Sequence, residues 1–216
     1  VALRNDCKGN RTWVGLNALI PGGGHQHADR LGLLTFSHGK LLALEKATPY
    51  NELVTRDMGT FSYSHNTVTV DKVSQPQGES LKGEQIPMVT QFFASPTIKY
   101  AQLNGDHIYP QMRRYRRSVA LIEDVMVDCF DVCGGKVRDW IVHHAGVSPQ
   151  LSMPTEEQEA FEPAEWIYNG SKRVLRATGE EDWSAQWKVD GVTSRLFMRG
   201  APVTEVFAMQ TYPVDS

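Results

Sequence analysis

The chain has 216 residues, with 41% hydrophobic and 22% charged residues and a formal net charge of -3, the values of an ordinary globular protein. This composition excludes disordered and fibrous classes, and the slight acidity excludes a nucleic-acid binder that works by whole-surface charge. No apolar run approaches the roughly 20 residues that span a bilayer, so neither membrane nor nucleic acid is an expected partner. A chain of this length buries on the order of 70% of its unfolded surface, enough for one large domain or two small ones. It begins at Val1 without a basic-then-apolar leader, which reads as a processed protein or a piece of a longer one.

Residues 11 to 20 mix strand formers with a short apolar run and lead into Pro21-Gly22-Gly23-Gly24-His25-Gln26-His27-Ala28-Asp29-Arg30. Three glycines permit a backbone lying close against a ligand or a crowded turn. On an extended strand, residues i and i+2 share a face roughly 7 Å apart, so His25 and His27 can serve one site. The plainer reading is two surface histidines after a loop. Leu31 to Ser37 and Lys40 to Glu45, separated by His38-Gly39, predict a β-hairpin with a two-residue turn.

The β-branched alternation from Thr67 to Val70 predicts a strand with His65 at its mouth. Gln75 to Gln85 reads as a long loop, Met88 to Phe93 and Thr97 to Leu103 as strands, and Asn104-Gly105 as a turn. Arg113 to Leu121 and Val125 to Val132 predict two long strands around Glu123-Asp124, followed by a Gly134-Gly135 turn and a strand from Lys136 to His143. Within them, Arg113, Tyr115 and Arg117 are expected on one face and Arg114 and Arg116 on the other. Guanidinium forks suit carboxylate or sulfate, although a solvated edge paired with acids explains them too.

Cys129 and Cys133 lie four residues apart on one strand face, ~13 Å from each other, beyond disulfide reach, and read as small core residues. Residues 146 to 165 turn proline-rich and acidic, which predicts a long surface excursion inside a single domain spanning residues 1 to 216. Trp183 to Val189, Val192 to Arg199 and Val203 to Met209 predict the last strands, and Trp166, Tyr168, Trp183 and Trp187 read as core aromatics with stacking on sugar rings as the alternative. The predicted fold is all-β, a large antiparallel β-sandwich with few or no helices.

The strongest chemical constellation is His27, Glu45 and His65, each at or near a strand end. Two imidazoles and one carboxylate are a common zinc set that leaves a fourth position open. Asp29 is an alternative carboxylate ligand or an orienting partner for an imidazole.

Four stretches together resemble the heparinase II/III-like polysaccharide lyases, which include oligoalginate lyases. They are Gly24-His25-Gln26-His27-Ala28-Asp29-Arg30-Leu31, the Gly39 to Glu45 strand, Ser64-His65-Asn66-Thr67-Val68-Thr69-Val70-Asp71 with Gln75, and Arg116 to His143. Such enzymes join an N-terminal helical toroid to a C-terminal β-sandwich, with the active site in the cleft between them. This chain resembles the sandwich alone, so in isolation it is expected to be catalytically incomplete.

The resemblance implies that His25 faces the substrate, that His27 and His65 bind one structural zinc, and that Glu45, where relatives commonly carry aspartate, is the third ligand. Arg30 and Tyr50 are expected to line the cleft. The implied substrate is an acidic polysaccharide or oligosaccharide containing uronate, alginate-like or heparin/heparan-sulfate-like, cleaved by β-elimination. A periplasmic or secreted location follows from the same resemblance. Two competing readings are a cupin-like metal-dependent β-barrel and a non-catalytic β-sandwich that binds acidic glycans. In cupins, however, the glutamate follows the His-x-His within a few residues, whereas here it lies a hairpin away.

Overall fold

Strand geometry accounts for most of the residues described by the computed structural model, which are 1–7, 10–18, 27–45, 59–76, 87–146, 148–158 and 172–210. They resolve into two compact units, Val1–His143 and His144–Ser216. Among the described residues, no helix is long and apolar enough to cross a membrane.

In the first unit, β1 (Ala2–Cys7), β2 (Asn10–Leu16), β3 (Leu33–Ser37) and β4 (Lys40–Ala43) form an antiparallel sheet in chain order. The predicted hairpin turn is present between β3 and β4. His38 and Gly39 have φ of 53° and 76°, the paired positive values of a turn whose twist matches its strands. After a 3₁₀ turn at Ser62–Ser64 comes β5 (Val68–Val70). A second four-stranded antiparallel sheet follows, built from β6 (Met88–Ala94), β7 (Ile98–Asn104), β8 (Met112–Ile122) and β9 (Val125–Gly134). Then β10 (Arg138–Trp140) pairs back onto β5, so strand covers only part of the predicted Lys136 to His143.

The inner faces of the two sheets meet in one core. Leu3, Val14, Leu16 and Leu33 come from the first sheet, Ala101, Leu103, Tyr115, Val119 and Leu121 from the second, and Val68 and Val70 from β5. Side-chain alternation with a period of two places the residues of the two sheets inward and most of their neighbours outward, as a sandwich requires, whereas β5 is buried along its whole length.

Three expectations change here. The Asn104-Gly105 pair opens a loop rather than a tight turn: β7 ends at Asn104 and β8 begins at Met112. Ile108 and Tyr109 from that loop are buried in the core. The Asp106 carboxylate accepts the Tyr115 backbone N–H at 2.8 Å and both Nε and Nη2 of Arg116.

Second, the register shifts between Met112 and Arg114, so Arg113 is exposed while Tyr115 and Arg117 are buried. One extra residue in a strand reverses the facing of everything before it. Third, Cys129 is exposed and Cys133 half-buried, because the buried partner positions of β8 fall opposite Asp128 and Phe130. The period of two then turns both thiols outward.

In the second unit, β11 (Gln150–Leu151) and β12 (Glu156–Gln158) lie inside the stretch expected to be a surface excursion. They are followed by β13 (Lys172–Gly179), β14 (Trp183–Val189), β15 (Val192–Met198) and β16 (Thr204–Gln210). The sheet orders are β11-β14-β15 and β12-β13-β16, all antiparallel. Trp187 is buried, whereas Trp166 and Tyr168 lie outside the described residues. The fold is all-β, as the alternation predicted.

Candidate metal centre

The site lies where the segment that starts at His27 meets the 3₁₀ turn. Ala28 N–H donates to Thr60 O at 2.7 Å, and Ser62 Oγ donates back to Ala28 O at 2.6 Å, binding the His27 segment to the turn that carries His65. Thr67 Oγ1 donates to Arg30 O at 3.0 Å on the other side of Asp29. His65 follows the turn as its C-terminal cap, with its backbone N–H on Ser62 O and an extended φ of -127°. That geometry points the imidazole inward, where His65 is 0% exposed.

The structure brings together His27, Asp29, Glu45 and His65. The ring centroids of His27 and His65 are 5.2 Å apart, and ligand atoms from His27, Asp29 and His65 all fall within 4.8 Å of one another. Glu45 reaches the group from just beyond β4, with Oε1 3.3 Å from His65 Nδ1. Gly32 makes room for that carboxylate: a Cβ there would sit 3.2 Å from Glu45 Oε1 and 2.6 Å from Asp29 O. Asp29, named in the sequence as the alternative carboxylate, thus sits in the cluster beside Glu45.

The electrostatics are those of a site short of positive charge. Burial raises the Asp29 carboxyl above its ordinary value; His65 and His27 pull it down, and Glu45 pushes it up. Neither ring nitrogen of His65 makes a hydrogen bond among the described residues, although both are buried. An orphaned buried polar atom costs about 1–3 kcal/mol. A divalent cation would take the single lone pair of the neutral His65 ring and neutralise the two carboxylates, relieving one of these nitrogens and the buried charge, and nitrogen and carboxylate donors are those zinc takes. The residues present therefore fit such an ion.

Arg30 is 4% exposed, and its guanidinium donates to Gln75 Oε1 and to Pro76 O. Gln75 also holds the Arg30 backbone at both ends, accepting from its N–H at 2.9 Å and donating to its carbonyl at 2.9 Å. His25 and Tyr50 lie outside the described residues.

Sequence reasoning missed two buried residues behind the cluster, Asn66 and Arg117. Asn66 Nδ2 donates to Leu33 O and Leu44 O, and its Oδ1 accepts His143 N–H at 2.6 Å. The position of Asn66 directly after His65 was the available signal, since a short amide beside a ligand residue is suited to holding backbone.

No family model and no curated protein matches this chain. Solved structures do. The heparan sulfate lyase HepC from Pedobacter heparinus aligns over 96% of this chain and 34% of its own, with 12% identity and a TM-score of 0.50. A mutant of that enzyme gives the same coverage and identity with a TM-score of 0.51. A heparinase III structure aligns over 96% of this chain and 33% of its own at 14% identity, with a TM-score of 0.48. The chain spans about one third of the length of these proteins. At these identities the likeness concerns fold, and the chain has the heparinase-like all-β fold found in one part of heparan sulfate lyases.

Proposed function

We propose that this chain is the sandwich part of a polysaccharide lyase that cleaves uronate-containing glycans by β-elimination. The observation that carries the reading is the His27–Asp29–Glu45–His65 cluster, whose fully buried His65 has Glu45 Oε1 3.3 Å from Nδ1 and no hydrogen bond at either ring nitrogen among the described residues. It gains support from a fold shared with enzymes described as heparan sulfate lyases.

In β-elimination a base removes the proton from C5 of a uronate, a C4–C5 double bond forms, and the C4–O bond breaks. The departing oxygen takes up a proton. The uronate carboxylate must be neutralised for C5 to become acidic. His25, two residues before His27, is the proposed catalytic residue of this chain, and Tyr50 is proposed to line the cleft. Arg30 enters the reading as a buried strut that holds the segment between Asp29 and Leu31. His27 and His65, with Asp29 and Glu45, would hold a zinc ion, whose fixed positive charge would lock the ligand segments together. The remaining catalytic groups belong to a helical toroid of the same protein, and a periplasmic or secreted location goes with this assignment.

The test has two parts. Elemental analysis of the purified chain is expected to find about one zinc per chain, lost in His27→Ala and in His65→Ala. In a longer chain that includes the toroid, His25→Ala is expected to abolish the absorbance of the unsaturated product while leaving zinc content intact. Near-normal turnover by that variant excludes the role given to His25. Glycan binding with zinc present but no product from the longer chain makes the domain a non-catalytic binding module.

A further inference from the structure

Arg117 is the largest fully buried side chain among the described residues, and it sits in the middle of a strand that contributes no ligand to the metal centre. A guanidinium keeps its charge at any pH a protein meets, so its burial calls for a full set of acceptors. The acceptors are informative. Nε and Nη2 form a bidentate pair with the Asp128 carboxylate, at 2.8 and 2.7 Å. Nη1 donates to two backbone carbonyls, Leu31 O and Asn66 O, at 2.6 Å each. The guanidinium carbon lies 5.3 Å from the centroid of the Phe130 ring, which supports its plane from the next strand.

Those two carbonyls belong to the two segments that must converge for the metal centre to exist. Leu31 lies two residues after Asp29, and Asn66 directly follows His65. A single nitrogen therefore fixes the distance between the Asp29 and His65 segments, while Asp128 fixes the nitrogen. Asn66 extends the linkage to Leu44 O, the residue before Glu45.

We propose that Arg117 is a positioning residue for the His27–Asp29–Glu45–His65 centre, setting the separation of the Asp29 and His65 segments through Leu31 O and Asn66 O. The proposal rests on the metal-site reading above. Lysine at this position keeps the charge but lacks the planar fork, so it cannot serve Asp128 bidentately and both carbonyls together. Residues that orient ligands typically alter metal affinity by roughly 10–100-fold when replaced.

The experiment titrates the 216-residue chain with Co²⁺, reading the visible d–d bands, and measures zinc affinity against a chelator. Wild type is compared with Arg117→Lys and Arg116→Lys, each checked by circular dichroism and thermal melting. Arg116 is the adjacent residue on the opposite face, engaged with Asp106 instead. Arg117→Lys is expected to bind zinc roughly tenfold or more weakly and to shift the Co²⁺ bands, with Arg116→Lys unchanged in both. A folded Arg117→Lys with wild-type affinity and bands, even at lowered melting temperature, makes Arg117 an ordinary core strut and overturns the proposal alone. If Arg117→Lys does not fold, Asp128→Asn serves in its place. It leaves the guanidinium present but weakens what aims it, so reduced affinity supports the proposal and wild-type affinity refutes it. A wild-type chain that binds neither metal removes the metal-site reading and this proposal together.

Discussion

His144 shows how one side chain can carry a pH dependence without any catalytic role. Its ring stacks on Trp187 with centroids 4.4 Å apart and planes 13° from parallel, and its Nδ1 accepts the Gly146 N–H at 2.9 Å. The proton of the neutral ring is therefore on Nε2, which is buried with no hydrogen-bond partner among the described residues. Burial disfavours the imidazolium and pushes the pKa down from 6.5 to about 4. Because the folded value is depressed, the unfolded chain takes up a proton first on acidification. The stabilisation is complete above 6.5 and is lost as the pH falls through that value towards about 4. Melting temperatures between pH 7.5 and 4.5 are expected to fall more steeply for wild type than for His144→Phe, and parallel slopes would remove His144 as the cause. His65 is a different case, since its buried ring lies beside the carboxylates of Asp29 and Glu45, a donor set that with His27 suits a metal ion.

At the scale of elements, the β8–β9 hairpin determines what the sandwich can hold. Its 10 residues of β9 run antiparallel to 11 of β8, and its far end closes on Gly134, where φ is 120°. A Cβ at Gly134 would sit 2.5 Å from Gln111 O, a backbone atom that cannot rotate away. Gly134→Ala is expected to cost about 1–3 kcal/mol, read as a lower urea midpoint at unchanged slope. A midpoint within error of wild type would show that the strand end relaxes freely. The bulge between Met112 and Arg114 turns Arg113 outward, whereas the regular alternation beyond it keeps Arg117 on the inner face with Tyr115. The hydrogen bonds of Tyr115 OH, donating to Val68 O and meeting Gln75 Nε2, then link that face to the strand after His65.

For the whole molecule, the division into Val1–His143 and His144–Ser216 has a direct consequence. Every residue of the main core cluster, and His27, Asp29, Glu45 and His65, belongs to the first unit. Residues 1–143 expressed alone are expected to retain a β-type circular dichroism spectrum, cooperative melting and the metal stoichiometry of the full chain. A molten fragment would show that the second unit supplies needed stability. Metal binding should raise the melting temperature of either version as the logarithm of free metal above its dissociation constant, because the ligand segments are separate in the unfolded chain.

Local rules carried much of the architecture. The alternation of Thr67 to Val70, the His38-Gly39 turn and the long strands around Glu123-Asp124 were legible because period and turn chemistry act over a few residues. The histidine pair His27 and His65 was legible from residue type, although neither stands at a strand end: His27 lies between β2 and β3, and His65 caps the 3₁₀ turn. Other features depended on distant partners. The sequence pattern placed Arg117 on the face of Tyr115 but could not show that this face is buried, nor the bulge that turns Arg113 outward, the outward facing of Cys129, or Asp29 and Glu45 sharing one site. Arg117 meets Leu31 O across 86 residues of sequence and Asn66 O across 51. A charged side chain reads as surface until the acceptors that make its burial tolerable are brought to it, and only the packed sheets do that.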